Sequence, residues 1–123
     1  MYGGSLENRM RLLLEIVREI HKKCGPDFPV GVKLSTEDWE PEGIRIEETI
    51  EVAKALEREG VSHLNMMGGT HATAAREFLL PNAFNAVHTR MIKEAVHIPV
   101  FIGHNIFTPE EAEAMLAEGN GDF

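Results

Sequence analysis

An α/β fold built on a parallel sheet is what this sequence predicts, on three observations. Amphipathic segments with apolar residues at steps of three and four alternate with short, almost continuously apolar, β-branched segments. The short segments lack the polar alternation of a strand that is wet on one side, which suits parallel strands linked by helical crossovers. Glycines stand just past the ends of the helical patterns at Gly25, Gly60 and Gly119, where a left-handed residue stops a helix.

The elements follow in order. From Ser5 to Cys24 the residues Leu6, Met10, Leu13, Val17 and Ile20 form one apolar stripe, widened by Leu14 and Ile16. Ser5 is placed to cap this helix, and Lys22 and Lys23 suit the negative end of its dipole. Pro29 to Ser35 reads as the first strand. The polar stretch from Thr36 to Gly43, with Trp39 as its one large aromatic, is long for a strand-to-helix link. Ile46 to Glu59 is the second helix, with Ile46, Ile50, Ala53 and Leu56 inward, and Val61 to Met66 the second strand. Ala83 to Val96 is predicted as the third helix, with Phe84, Val87, Met91, Ile92 and Ala95 on one face, and Ile98 to Gly103 as the third strand. Thr108-Pro109-Glu110-Glu111 opens the last helix with a cap, a proline at the first helical position and a capping-box glutamate. Asp122 and Phe123 look like the start of a fourth strand.

Composition narrows the function. The 123 residues form one domain, and 43% of them are hydrophobic, ordinary for a globular chain. No apolar run approaches the ~20 residues that cross a bilayer, and no export signal is visible at Met1, so a cytoplasmic location is expected. A formal charge of −8 repels polyanions and argues against nucleic acid. The one cysteine, Cys24, reads as a small apolar residue at a helix end. The six histidines show no His-x-His or His-Glu-x-x-His spacing, so no metal site is expected.

In parallel α/β folds ligands gather at the carboxyl ends of the strands. Here those ends are Lys33 and Ser35, Asn65 and Met66, and Gly103, His104 and Asn105. On spacing alone Lys33 reads as an edge lysine whose stem lies along the strand, the turn at residues 103–105 as a plain link, and Met67-Gly68-Gly69-Thr70-His71 as a glycine turn with solvated polar residues. Trp39 fits equally a loop aromatic that covers core and one that stacks on a ligand.

The run Tyr2-Gly3-Gly4-Ser5-Leu6-Glu7-Asn8-Arg9-Met10-Arg11 resembles the loop-helix junction midway along the barrel of the Old Yellow Enzyme, or NADH:flavin oxidoreductase, family. Val30-Gly31-Val32-Lys33-Leu34-Ser35 is similar to the strand that follows it there, with lysine for the usual arginine. Pro99 to Glu110 resembles the family's phosphate-side turn and helix start, with His104 where glycine is common. Met66 to His71 resembles the substrate-side loop of the 2,4-dienoyl-CoA reductase-like branch.

The resemblance implies a partial (β/α)8 TIM barrel, about half of one, with parallel strands and helices on the outer face, as a single unit over residues 1–123. It implies FMN held by Lys33, Gly103, His104 and Asn105, and Trp39, Met66 and His71, with Arg76 beside them, on the substrate side. It implies hydride transfer from NAD(P)H through FMN to an activated alkene. A cation belongs at Lys33 because reduction by hydride places negative charge at the pyrimidine end of a flavin, although lysine lacks arginine's planar fork.

The family's catalytic tyrosine and its histidine pair fall before Met1, and its Gly-Arg phosphate pair after Phe123, so no catalytic residue is assigned and the chain alone is expected to be inactive. The alternative is a half-barrel that binds no cofactor. A half-barrel bares its inner face and two strand edges, so self-association is expected.

Overall fold

The computed structural model describes residues 1–69, 84–103 and 105–123. Helix α1 (Leu6–Cys24), strand β1 (Gly31–Ser35), α2 (Ile46–Arg58), β2 (His63–Met67), α3 (Ala86–Ala95), β3 (Val100–Ile102) and α4 (Pro109–Ala117) follow one another. The strands are parallel in the order β1-β2-β3. Sequential parallel strands with helices between them are the arrangement of a partial (β/α)8 barrel, as predicted.

Local chemistry sets the boundaries. Ser5 accepts the Asn8 amide at 3.4 Å to start α1, and Gly25 beyond its end sits at φ 104°. Gly60, at φ 81°, stops the second helix in the same way. At α4 the capping box forms as read: Thr108 Oγ1 accepts from the Glu111 amide at 3.1 Å, and Glu111 accepts from the Thr108 amide at 3.1 Å.

The core lies between one face of the sheet and the helices. It joins Leu14 and Val17 of α1 and Val52, Ala53 and Leu56 of α2 to Val32, Leu64, Met66 and Val100 of the strands and Ile92 of α3. Two expected core residues are exposed: Ile16 by 49% and Val87 by 67%. Ile16 joins Leu12, one turn earlier, on the solvent side of α1. Among the described residues the third helix begins at Ala86, after Phe84 and Asn85 in a turn, and it buries Thr89 in place of Val87. That burial is satisfied because the Thr89 hydroxyl donates to the Asn85 carbonyl at 3.0 Å.

Two bidentate ion pairs clamp α1 across α2: Arg9 with Glu48, and Arg18 with Glu59. The chain end runs beside β3 in the same sense, the Asp122 amide donating to the Val100 carbonyl and the Ile102 amide to the Phe123 carbonyl, both at 2.8 Å. The expected strand start is therefore visible as two hydrogen bonds, short of a full strand.

Candidate functional site

Successive side chains of a strand point to opposite faces, so register decides what each face carries. Lys33 pairs with Asn65 and Asn65 with Phe101, making one row across the sheet. Lys33 and Asn65 are exposed and Phe101 half-buried, on the face that the helices leave open. Toward the amino ends the next row pairs Gly31 with His63. A Cβ on Gly31 would lie 2.2 Å from His63 Nε2, so the glycine makes room for that ring. His63 meets the Phe101 ring edge-on at 5.1 Å, and Phe101 stacks on Phe123 at 4.9 Å.

This row gives an ammonium and a carboxamide side by side on an open surface, flanked by aromatic rings. Lys33 makes no hydrogen bond or ion pair with any described residue. Three lysine donors and the donor and acceptor of an asparagine suit a planar ligand rich in carbonyl and ring-nitrogen acceptors.

The other predicted positions divide. Met66 pairs with Leu34 and Ile102, so its side chain enters the core and is fully buried, on the opposite face from Lys33. Gly103 follows β3, and a Cβ there would make only an ordinary contact, 3.6 Å, with the Met66 carbonyl. Asn105 is partly exposed and adopts a left-handed φ of 54°. His71 and His104, like Arg76, lie outside the described residues. Trp39 turns toward α3, its ring on His88 and Phe84.

Sequence reasoning undervalued Asn65 and missed His63, Phe101, Glu37 and His88. Counting by twos from Lys33 and applying the parallel register finds Asn65 and excludes Met66. Nothing in the sequence pairs Glu37 with His88, since loop geometry brings them together. At the sheet's other edge, burial alone would raise the Asp122 carboxyl, but the Val100 amide and the Lys93 ammonium outweigh it and hold it below the ordinary value. Among the described residues no group of three or more side chains is arranged to hold a metal ion, and no helix is long and apolar enough to cross a membrane.

The family model described as NADH:flavin oxidoreductase / NADH oxidase matches residues 1–123. The chain belongs to that family. This NADH:flavin oxidoreductase chain is 37% identical to a metal reductase of Desulforamulus reducens, over 99% of its own length and 19% of the relative's. It is 37% identical to an NADH oxidase of Thermoanaerobacter brockii, with the same two coverages. It is 39% identical to a bilirubin reductase of Mediterraneibacter gnavus, over 96% of the chain and 20% of that protein. A solved structure of 2-naphthoyl-CoA reductase in complex with 2-naphthoyl-CoA matches 98% of the chain and 19% of its own at a TM-score of 0.86 and 30% identity. The chain thus spans about a fifth of the length of each of these four proteins.

Proposed function

We propose that this chain forms one wall of an FMN site in a cytoplasmic, NAD(P)H-dependent ene-reductase, and that the open Lys33-Asn65-Phe101 row is that wall. The observation that carries the reading is the placement of Lys33. Its ammonium has no partner among the described residues and stands at the middle of β1, on the face a barrel encloses, with the amide of Asn65 opposite. These residues fit a flavin on their chemistry: a cation and a two-way amide for the pyrimidine edge, and aromatic rings for its planar surroundings.

When bound, the flavin supplies two-electron hydride chemistry between nicotinamide and an activated alkene. The chain's own contributions are electrostatic and steric. Lys33 holds positive charge where the reduced ligand is most negative, Asn65 orients by hydrogen bonds, and Gly103 with Asn105 offers backbone amides after β3 for the phosphate. His104 and His71 belong to the same reading, on the phosphate and substrate sides. Met66 supports the wall from behind, within the core. Trp39 acts at the rim through its neighbours.

Titration of the chain with FMN tests this reading. Saturable quenching of flavin fluorescence is expected, and its absence at high protein concentration overturns the binding claim. One observation favours a second reading: the inner face is open, and among the described residues no strand pairs with the outer edge of β1. That reading is a self-associating half-barrel without cofactor, and it predicts dimers or larger species in sedimentation together with no flavin quenching.

A further inference from the structure

His63 stands on the open face, one row toward the amino ends from Lys33 and Asn65, and its neighbours fix which ring nitrogen carries the proton. The Ser62 hydroxyl lies 3.0 Å from the Val30 carbonyl and 3.0 Å from His63 Nδ1. A hydroxyl has one proton and a carbonyl can only accept, so that proton goes to Val30 and the Ser62 oxygen accepts from Nδ1. In the neutral ring Nε2 is then the bare, accepting nitrogen. The ring itself is held in place. Phe101 meets it edge-on with centroids 5.1 Å apart, and Gly31 lies so close that a Cβ there would collide with Nε2 and Cε1. Nε2 thus rests against β1, the strand that carries Lys33. It has no hydrogen-bond partner among the described residues and is not buried.

We propose that His63 is a further ligand-binding residue of this wall, its Nε2 accepting the ring N–H at the pyrimidine edge of the flavin. The inference rests on the flavin reading above and deepens it. That edge presents two carbonyl oxygens with one ring N–H between them, so its complement needs an acceptor as well as donors. Lys33 supplies donors only. The Ser35 hydroxyl already faces the Gly69 carbonyl at 3.5 Å. Asn65 has an acceptor oxygen, but its side chain is exposed and makes no hydrogen bond to a described residue. Ordering it on binding costs free energy, whereas a group fixed beforehand avoids that cost. Among the described residues of the open face, His63 Nε2 is the acceptor that is already oriented before a ligand arrives. Asn65 is then left to donate to a carbonyl, beside Lys33.

Two ligands test it, FMN and FMN methylated on that ring nitrogen, each titrated by flavin fluorescence in mildly alkaline buffer into the wild-type chain, His63→Phe and Ser62→Ala. Wild type should bind FMN about fivefold to tenfold more tightly than the methylated flavin, the scale of one hydrogen bond. His63→Phe keeps a ring against Gly31 and Phe101 but has no lone pair, and should bind the two flavins alike. Ser62→Ala keeps the imidazole and frees its proton. Nitrogen NMR of His63 should show Nδ1–H in wild type and a mixture of tautomers in Ser62→Ala, whose preference for FMN should fall. A wild-type chain that binds no FMN overturns the flavin reading and this inference with it. Equal binding of the two flavins by wild type, an undiminished preference in His63→Phe, or an Nε2–H tautomer in wild type overturns this inference alone and leaves the flavin reading standing.

Discussion

Lys33 of β1 and Asn65 of β2 are register partners, exposed together on the sheet face that the helices leave open. Their pairing links a strand sequence to a site: parity along β1 puts Lys33 inward, and the parallel register brings Asn65 beside it. Replacing Lys33 by Met should weaken FMN binding on the order of tenfold or more, since a hydrogen bond to a charged group contributes about 1.5–3 kcal/mol. Lys33→Arg should retain binding, because the charge stays and a planar fork is gained. Neither change should move the urea midpoint by more than about 0.5 kcal/mol equivalent, as both are surface substitutions.

Gly68 lies beneath the Trp39 ring with no room for a methyl group. Gly68→Ala should push the indole off its stack and cost about 1–3 kcal/mol, the range for overpacking. Near-ultraviolet circular dichroism, which reports the asymmetry around the single tryptophan, should lose intensity in this variant, and denaturant unfolding gives the stability change.

Leu64 is fully buried in the core, whereas Leu12 on α1 is 52% exposed. Leu64→Ala should destabilise the chain by about 2–5 kcal/mol, and Leu12→Ala by about 0.5 kcal/mol or less. Equal losses in urea unfolding would mean that α1 and the sheet are packed differently.

The Arg9–Glu48 and Arg18–Glu59 clamps carry a pH dependence of definite sign. The arginine hydrogen bond in each pair lowers the folded-state value of its glutamate. The unfolded reference is about 4.3. Each pair therefore contributes stability that is complete above that value and is lost as pH falls through the depressed folded value. Both pairs lie at the surface, where solvent screening keeps the contribution of each small. Urea midpoints measured from neutral to acid pH should show a shallower acid loss in Glu48→Gln than in wild type.

Much of the fold was legible because its signals are local. The Ser5 and Thr108 caps and the Gly25 and Gly60 stops each act within a few residues and appear where the pattern put them, whereas β1, β2 and β3 each begin two residues later than the pattern read. Helix faces were less legible. Ile16 and Val87 satisfy the spacing of a buried stripe, but α1 and α3 turn Val17 and Ile92 inward, and only tertiary packing decides that rotation. For the site, Lys33 was readable from strand parity, and the same parity sends Met66 into the core. Trp39 was singled out as an aromatic in a polar loop, yet its partners Glu37, Gly68, Phe84 and His88 come from three separate segments that no sequence spacing connects.

The most direct test of the flavin-wall account is a backbone amide NMR titration of the chain with FMN. Saturable shifts concentrated at Lys33, Asn65, Phe101 and Asn105 are expected, with α1 unmoved. Shifts confined to the Leu12 and Ile16 side of α1, or no shifts at all, would contradict it.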